Sequence, residues 1–349
     1  MNKFKHQLGK HQLGLSLVEV LVALVISLFL LTGIVQVYLS NRVAYTFSEA
    51  ISRAQENGRF ALDTMTQDLR GAGFFGCAIF DPADTSTLVN NLNPAGAGYD
   101  AAIHDFIGQG LIQGTENDGL NGSDSITLRG AKPNQATVQP PYNVQTSANL
   151  FVTSTDSIEP GDIVMVSNCR GGDIFQVTSK QAGGGGDQHQ VGHNTGSTYE
   201  PGNFNPDSCS GGNNHCLSQT YGSDSTMFKL QTVTYRIWPG ASGEPALWRS
   251  ENGNDVELIE GIDQMQILYG IDTNGDDFAN QYVISTLVPD MLDVVSVRLM
   301  LLVRSETNGV TEGAQIYDFN SVLDITAPDL RLRQVFSTTI ALRNRTGAS

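Results

Sequence analysis

Cationic side chains are scarce in this chain of 349 residues, which carries 20 Lys plus Arg against 36 Asp plus Glu and a formal net charge of −16. Nucleic-acid binding depends on cations that neutralise phosphates, so this balance argues against a nucleic-acid partner. Catalytic signatures are missing as well. The sequence holds no nucleophile elbow, no P-loop and no His-Glu-x-x-His, and the tetraglycine Gly183–Gly186 lacks the Lys-Ser/Thr of a phosphate loop. Asp and Ser are plentiful, but nothing links them into a catalytic arrangement, so an enzyme is not expected. Cysteine is rare too, with four in the chain.

What the chain does have is one long apolar run. From Leu15 to Leu39 the only ionisable side chain is Glu19, and the run follows Lys3, Lys5 and Lys10. About 20 apolar residues suffice to cross a bilayer as a helix. The basic flank is expected to stay cytoplasmic and send the C-terminal bulk across the membrane. An ordinary secretory signal is cut after its apolar region, whereas here the small residue, Gly14, precedes it. Glu19 needs an explanation, because a carboxylate within a bilayer is costly and usually has a partner. Near the cytoplasmic end, snorkelling reduces that cost, and the plainest reading is a tolerated interfacial acid.

Together, Gly14, the apolar run and Glu19 resemble the type IV prepilin signature, with a short basic leader, Gly at the cut and Glu at the fifth mature position. Leu15 stands where family members usually carry Phe. The resemblance implies that residues 1–14 are a leader, that a prepilin peptidase cuts after Gly14 and methylates the amine of Leu15, and that Glu19 pairs with the N-terminal amine of a neighbouring subunit. Loss of the leader makes the mature chain more acidic still.

The helical pattern continues beyond the apolar run. Phe47, Ile51, Ala54, Gly58, Leu62, Met65 and Leu69 recur at three- and four-residue spacing, with Arg42, Glu49, Arg53, Glu56, Arg59, Asp63 and Asp68 largely off that stripe. One helix is predicted over 15–70, transmembrane over about 15–39, with Gly33 and Gly58 as places to bend. Its second half is expected to pack on a sheet, and Gly71-Ala-Gly-Phe-Phe-Gly-Cys77 ends it. Residues 71–349 read as an extracytoplasmic, β-rich domain. After a loop-like stretch over 80–124, short strands are predicted at Ser125–Arg129, Leu150–Thr153, Asp162–Ser167 and Asp173–Thr178. Further strands are predicted at Phe228–Trp238, Val256–Gly261, Gln264–Tyr269, Gln281–Leu287, Val294–Arg304 and Val335–Leu342. Met291–Val303 is apolar on both faces and suits a central strand. The alternating stretch from Leu330 to Arg345 suits a half-buried terminal strand with its arginines exposed. Residues 181–225 form a polar, Gly-rich insertion of low complexity.

The wider chain resembles the PilW family of type IV pilus minor pilins. The matching pieces are Gly71–Cys77, Gly161–Cys169, Gly172–Thr178, Val294–Arg304 and Arg333–Asn344. The resemblance implies an α+β, pilin-like fold: a long N-terminal helix, membrane-embedded in its first half, packed on an antiparallel β-sheet ectodomain. It implies a role in priming or supporting pilus assembly, near the tip, and so in twitching motility and adhesion. Implied partners are other minor pilins, the major pilin, the prepilin peptidase and a PilY-type adhesin. The implied location is the inner membrane, single-pass, and then the pilus and cell surface. A J-type pseudopilin of type II secretion shares the anchor and plan. A membrane-anchored binding or enzymatic domain is the alternative from another class.

Four cysteines allow three pairings. Cys209 and Cys216 lie seven residues apart, and pairing them leaves Cys77 with Cys169, which agrees with the resemblance. His189, His193 and His215 near Cys209 and Cys216 raise a zinc site, which an extracytoplasmic setting disfavours against a disulfide. Asp272-Thr-Asn-Gly-Asp-Asp277 places Asp272, Asn274 and Asp276 at alternate positions, with Asp277 nearby, like the opening of a calcium loop. Asp277 stands where that loop needs Gly, and Val283 where it needs Glu, so the plain alternative is a polar turn. No other cofactor is expected.

Overall fold

The computed structural model describes residues 16–77, 87–142, 147–153, 157–182, 187–195, 198–204 and 216–344. One helix, Leu17–Gly71, runs 55 residues without interruption, through Gly33 and Gly58 alike. At 1.5 Å per residue it is about 80 Å long. No proline falls inside it. It stops at a glycine-rich turn in which Gly73 and Gly76 take positive φ, a conformation that only glycine adopts without strain. The Asn344 side chain donates to the orphan carbonyl of Arg70 at 3.0 Å, closing the helix end from the far end of the chain.

Only the second half of the helix meets the domain. Its buried residues are Ala50, Ala54, Gly58, Ala61, Met65 and Leu69, a stripe at four- and three-residue spacing. The sequence pattern places Phe47, Ile51 and Leu62 in that stripe. In the structure Phe47 is exposed, the other two are half-buried, and Ala50 and Ala61 are buried instead. Small residues let the helix axis approach the sheet closely. Gly58 marks the nearest point, where a Cβ would fall 2.7 Å from the Phe336 ring.

Two sheets receive this face. The four-stranded sheet runs Gln281–Val283, Ile262–Ile271, Val294–Arg304, Arg333–Ala341 in spatial order, so the apolar strand is central as its composition predicts. The eight-stranded sheet runs Leu88–Asn90, Gly171–Gln176, Ile163–Asn168, Thr226–Pro239, Pro245–Glu251, Asn254–Glu260. Ser125–Thr137 also pairs with Thr226–Pro239 and carries Ile112–Thr115 beside it. Among the described residues the one parallel pairing joins Leu88–Asn90 to Gly171–Gln176. Met65 and Leu69 of the helix share a core with Ile126, Tyr235 and Leu247 of the larger sheet and with Leu299 and Leu301 of the smaller.

The described parts of the polar insertion include a strand and core residues. Gln188–Gly192 pairs with both Asn149–Thr153 and Ser179–Ala182 in a three-stranded sheet. Leu217 and Tyr221, at its far end, enter a second core with Val164, Val166 and Phe175. The terminal strand departs from expectation at Arg333, which is buried, 3 % exposed, rather than facing solvent. Its Nε donates to Asp263 at 3.1 Å and its Nη1 to Asp329 at 2.6 Å, so two carboxylates offset the loss of water.

Candidate functional site

Every described residue from Ser16 to Ala44 is exposed, and these residues include the apolar run from Leu17 to Leu39. Leu17 is 76 % and Phe29 76 % exposed. Ala50 is the first buried residue and Leu39, Arg42 and Val43 already face Gly309 and Val310, so roughly 30 Å of helix, Leu17 to Tyr38, extends clear of the domain at 1.5 Å per residue. Exposed apolar area on this scale is stable only against lipid or other apolar helices. Among the described residues this helix alone is long and apolar enough to cross a membrane. Two hydroxyls within the apolar run bond the helix itself, Ser27 donating to the Ala23 carbonyl at 2.7 Å and Thr32 to the Leu28 carbonyl at 2.8 Å. A lipid-embedded segment requires that, because no water is available to bond them.

Glu19 and Ser16 form a reciprocal cap. The Glu19 carboxylate accepts from the Ser16 backbone N–H at 2.9 Å, and Ser16 Oγ accepts from Glu19 N–H at 3.2 Å. The carboxylate is thus held at the helix N-terminus, where the dipole favours negative charge. This capping role is not part of the prepilin reading, although Ser-x-x-Glu ahead of an apolar run is a legible signal. Gly14 and Leu15 lie outside the described residues.

At its other end the helix is fixed to the domain by polar groups as well as packing. Asp68 accepts from Tyr235 Oη at 2.6 Å and from Arg249 Nε at 2.8 Å. Arg249 in turn pairs with Glu251, which also pairs with Lys132. Burial, reinforced by Asp68, pushes the Tyr235 hydroxyl well above its ordinary pKa, so it stays a proton donor to that carboxylate. Asn57 donates to the Glu260 carbonyl at 3.1 Å, and Arg53 pairs with Glu306 at 3.2 Å. Cys77, six residues past the helix, is bonded to Cys169 across a separation of 92 residues. These ties fix the second half of the helix to the domain.

The remaining sequence candidates resolve differently. Cys216 is disulfide-bonded, so its sulfur is not available as a zinc thiolate. Cys209 and His215 lie outside the described residues. His193 is buried against the Phe175 ring, centroids 5.0 Å apart, and His189 sits opposite Val152 in the small sheet. In the Asp272 loop the carboxylates of Asp272 and Asp276 accept hydrogen bonds from the loop itself. Asp272 Oδ1 accepts from the N–H groups of Asn274 and Gly275, and Oδ2 from that of Asp277. Asn274 donates to Asp276 Oδ2, and Asp276 Oδ1 accepts from Phe278 N–H. Desolvation, the largest single cause, is outweighed by the sum of these backbone bonds, which hold the Asp272 carboxyl below its ordinary pKa. Asp277 takes φ +64°, completing a polar turn. Among the described residues no group of three or more His, Cys, Asp or Glu is placed to hold a metal ion.

Comparison with known proteins agrees with this anatomy. The PilW family, type IV pilus-assembly protein W, matches residues 234–344, and the prokaryotic N-terminal methylation motif matches residues 9–35. The first span contains the four-stranded sheet on which the helix packs, including Phe336. No curated protein sequence matches. Among solved structures, a type IV-like pilin from Thermus thermophilus aligns at 17 % identity and a TM-score of 0.22, covering 34 % of this chain and 67 % of that one. The chain therefore matches the PilW family model over 234–344 and the N-terminal methylation motif over 9–35, and it joins one exposed, apolar helix long enough to cross a membrane to a largely antiparallel β domain.

Proposed function

We propose that this chain is a PilW-like minor pilin that primes or supports type IV pilus assembly from the inner membrane and then resides at or near the pilus tip. The observation that carries the reading is the helix itself: fully exposed and apolar over its first half, and bound to the domain by packing and ion pairs over its second. A helix used only as an anchor needs no such rigid coupling. A helix that joins a bundle of neighbours transmits the position of each neighbour to the domain it carries.

In this reading the prepilin peptidase removes residues 1–14 and methylates Leu15, and the apolar half of the helix then joins other minor pilins and the major pilin. Glu19 supplies the counter-charge for the N-terminal amine of the adjacent subunit. The same carboxylate caps its own helix through Ser16 until that amine arrives. A PilY-type adhesin at the tip is the natural further partner for the domain, with twitching motility and adhesion as the outputs.

Glu19→Ala tests the mechanism. Removing a carboxylate from the apolar run leaves membrane insertion intact or slightly improved. Leaving the neighbour's buried amine unpaired costs about 3–5 kcal/mol, so incorporation falls. Membrane fractionation and surface pilus yield, in a strain where this is the only copy, should show normal membrane levels with far fewer pili. Unchanged pilus number would reduce Glu19 to a tolerated interfacial acid and favour an anchored domain with another task.

A further inference from the structure

Sheet edges invite pairing with other chains, and proteins blunt them with charge, short length or cover. Most edges here are blunted. Asn254–Glu260 carries Asp255, Glu257 and Glu260, while Leu88–Asn90 and Gln281–Val283 are three residues each. Arg333–Ala341 is different. It is nine residues long, pairs only with Val294–Arg304, and has no charged side chain from Gln334 to Ala341.

The register shows which of its backbone groups are free. Leu342 N–H donates to the Val295 carbonyl at 2.9 Å, and the ladder pairs Ile340 with Val297, Thr338 with Leu299 and Phe336 with Leu301. Alternate residues of an antiparallel strand bond the same neighbour. The even-numbered residues therefore point inward, and Arg333, Val335, Ser337, Thr339 and Ala341 point their N–H and C=O groups outward. At Arg333 that outward pair is already taken by a side chain that imitates a strand. Gln315 Oε1 accepts from Arg333 N–H at 2.7 Å, and Gln315 Nε2 donates to the Arg333 carbonyl at 2.8 Å. Beyond it, the outward groups of Val335, Ser337, Thr339 and Ala341 have no partner among the described residues.

We infer that this edge is a β-augmentation site, and that its occupant is an extended segment of another pilus subunit, uncharged in its middle and carrying a carboxylate at one end. The inference rests on the pilus reading above and adds the partner's chemistry. Val335, Ser337, Thr339 and Ala341 are exposed and uncharged, so an uncharged strand beside them meets no desolvated charge. Two cations lie toward the far end. Arg298 stands opposite Thr339, its guanidinium over the Tyr282 ring, and Arg343 is exposed. Neither has a carboxylate partner among the described residues, in a chain with a large excess of acid. Self-pairing in the antiparallel sense is disfavoured by the membrane. Phe336 lies against Gly58 and Asn344 against Arg70, so strand and helix run the same way. Two copies paired antiparallel on this edge would set their helices opposed, and both could not enter one membrane.

The test uses the full-length chain. Ser337→Pro removes an outward N–H that serves no internal bond, whereas Thr338→Pro removes one that bonds Leu299. Ser337→Pro should melt within a few degrees of wild type in detergent and reach the membrane, while its amount in sheared pili falls at least tenfold. Thr338→Pro should be destabilised outright. Residue-resolved hydrogen exchange on the wild-type chain removes dependence on how the variants fold. The Ser337 and Thr339 amides should exchange freely in detergent and at least a hundredfold more slowly in pili. Wild-type incorporation of a folded Ser337→Pro chain, or unprotected Ser337 and Thr339 amides in pili, would overturn the edge as an assembly site. Disulfide-linked dimers of Ser337→Cys in pili would identify a second copy and overturn the partner assignment. Absence of the wild-type chain from pili would defeat the pilus reading and this partner with it.

Discussion

Asp124 shows how single buried acids shape this domain. It is 2 % exposed and joins the loop before Ser125–Thr137 to the helix-facing sheet, accepting from Asn117 N–H at 3.1 Å and Ile267 N–H at 2.9 Å. Burial pushes its carboxyl up to about 6, against those two bonds and with help from Glu116 and Asp118. Because the folded pKa lies above the unfolded one, its contribution is present in full below about pH 4 and is lost as the pH rises through about 6. Asp124→Asn removes that loss. Its stability relative to wild type should therefore improve between pH 4.5 and pH 7, by at most about 3 kcal/mol. Urea melts at the two pH values measure it, and an unchanged difference would place the carboxyl outside that range. None of this is legible in sequence, where Asp124 is one acid in a polar loop. The same holds for Arg333 and for Asp173, which is fully buried with Asn91, Ser218 and Tyr221 as donors. Their roles depend on groups far apart in the chain.

The helix was the most legible element, because an apolar run long enough to cross a bilayer leads into a stripe at 3.6-residue period and no proline interrupts either. Its buried stripe was less so, since periodicity marks a face and not which members of it meet a neighbour closely. Gly58 is the instructive case, read from sequence as a bend and used in the fold as a contact with Phe336. Gly58→Val should destabilise the domain by about 1–3 kcal/mol through overpacking, despite the gain in helix propensity over Gly. Adding Phe336→Leu should restore part of the loss, and thermal melts of the single and double variants decide it. Equal melting of Gly58→Val and wild type would mean the helix can shift off the strand. Among the strands, the long apolar ones are legible from residue order, whereas short ones and those rich in polar residues are not. Pro245–Glu251 ends in Arg-Ser-Glu and opens on proline, which fits at a strand end. Ile316–Phe319 and Val322–Thr326 form a separate two-stranded hairpin with little core of its own.

At the scale of the molecule, the N-terminal signature and the exposed helix carry the account, and both were visible from residue order alone. What sequence could not give is how the helix is bound to the domain: the Asp68–Tyr235–Arg249 cluster, the Asn344 cap, and the open edge at Val335–Ala341. The first two fix the second half of the helix to the domain, and the third leaves backbone groups open beside it. The central claim is that the processed chain becomes part of a pilus. The measurement that tests it most directly is mass analysis of this chain's N-terminus in sheared, purified pili, beside membranes from a strain lacking the prepilin peptidase. The account predicts a chain in the pili that begins at Leu15 with one added methyl, and an intact Met1 confined to the membranes of the peptidase-deficient strain. An unprocessed chain in peptidase-competent cells, with none in the pili, would contradict it.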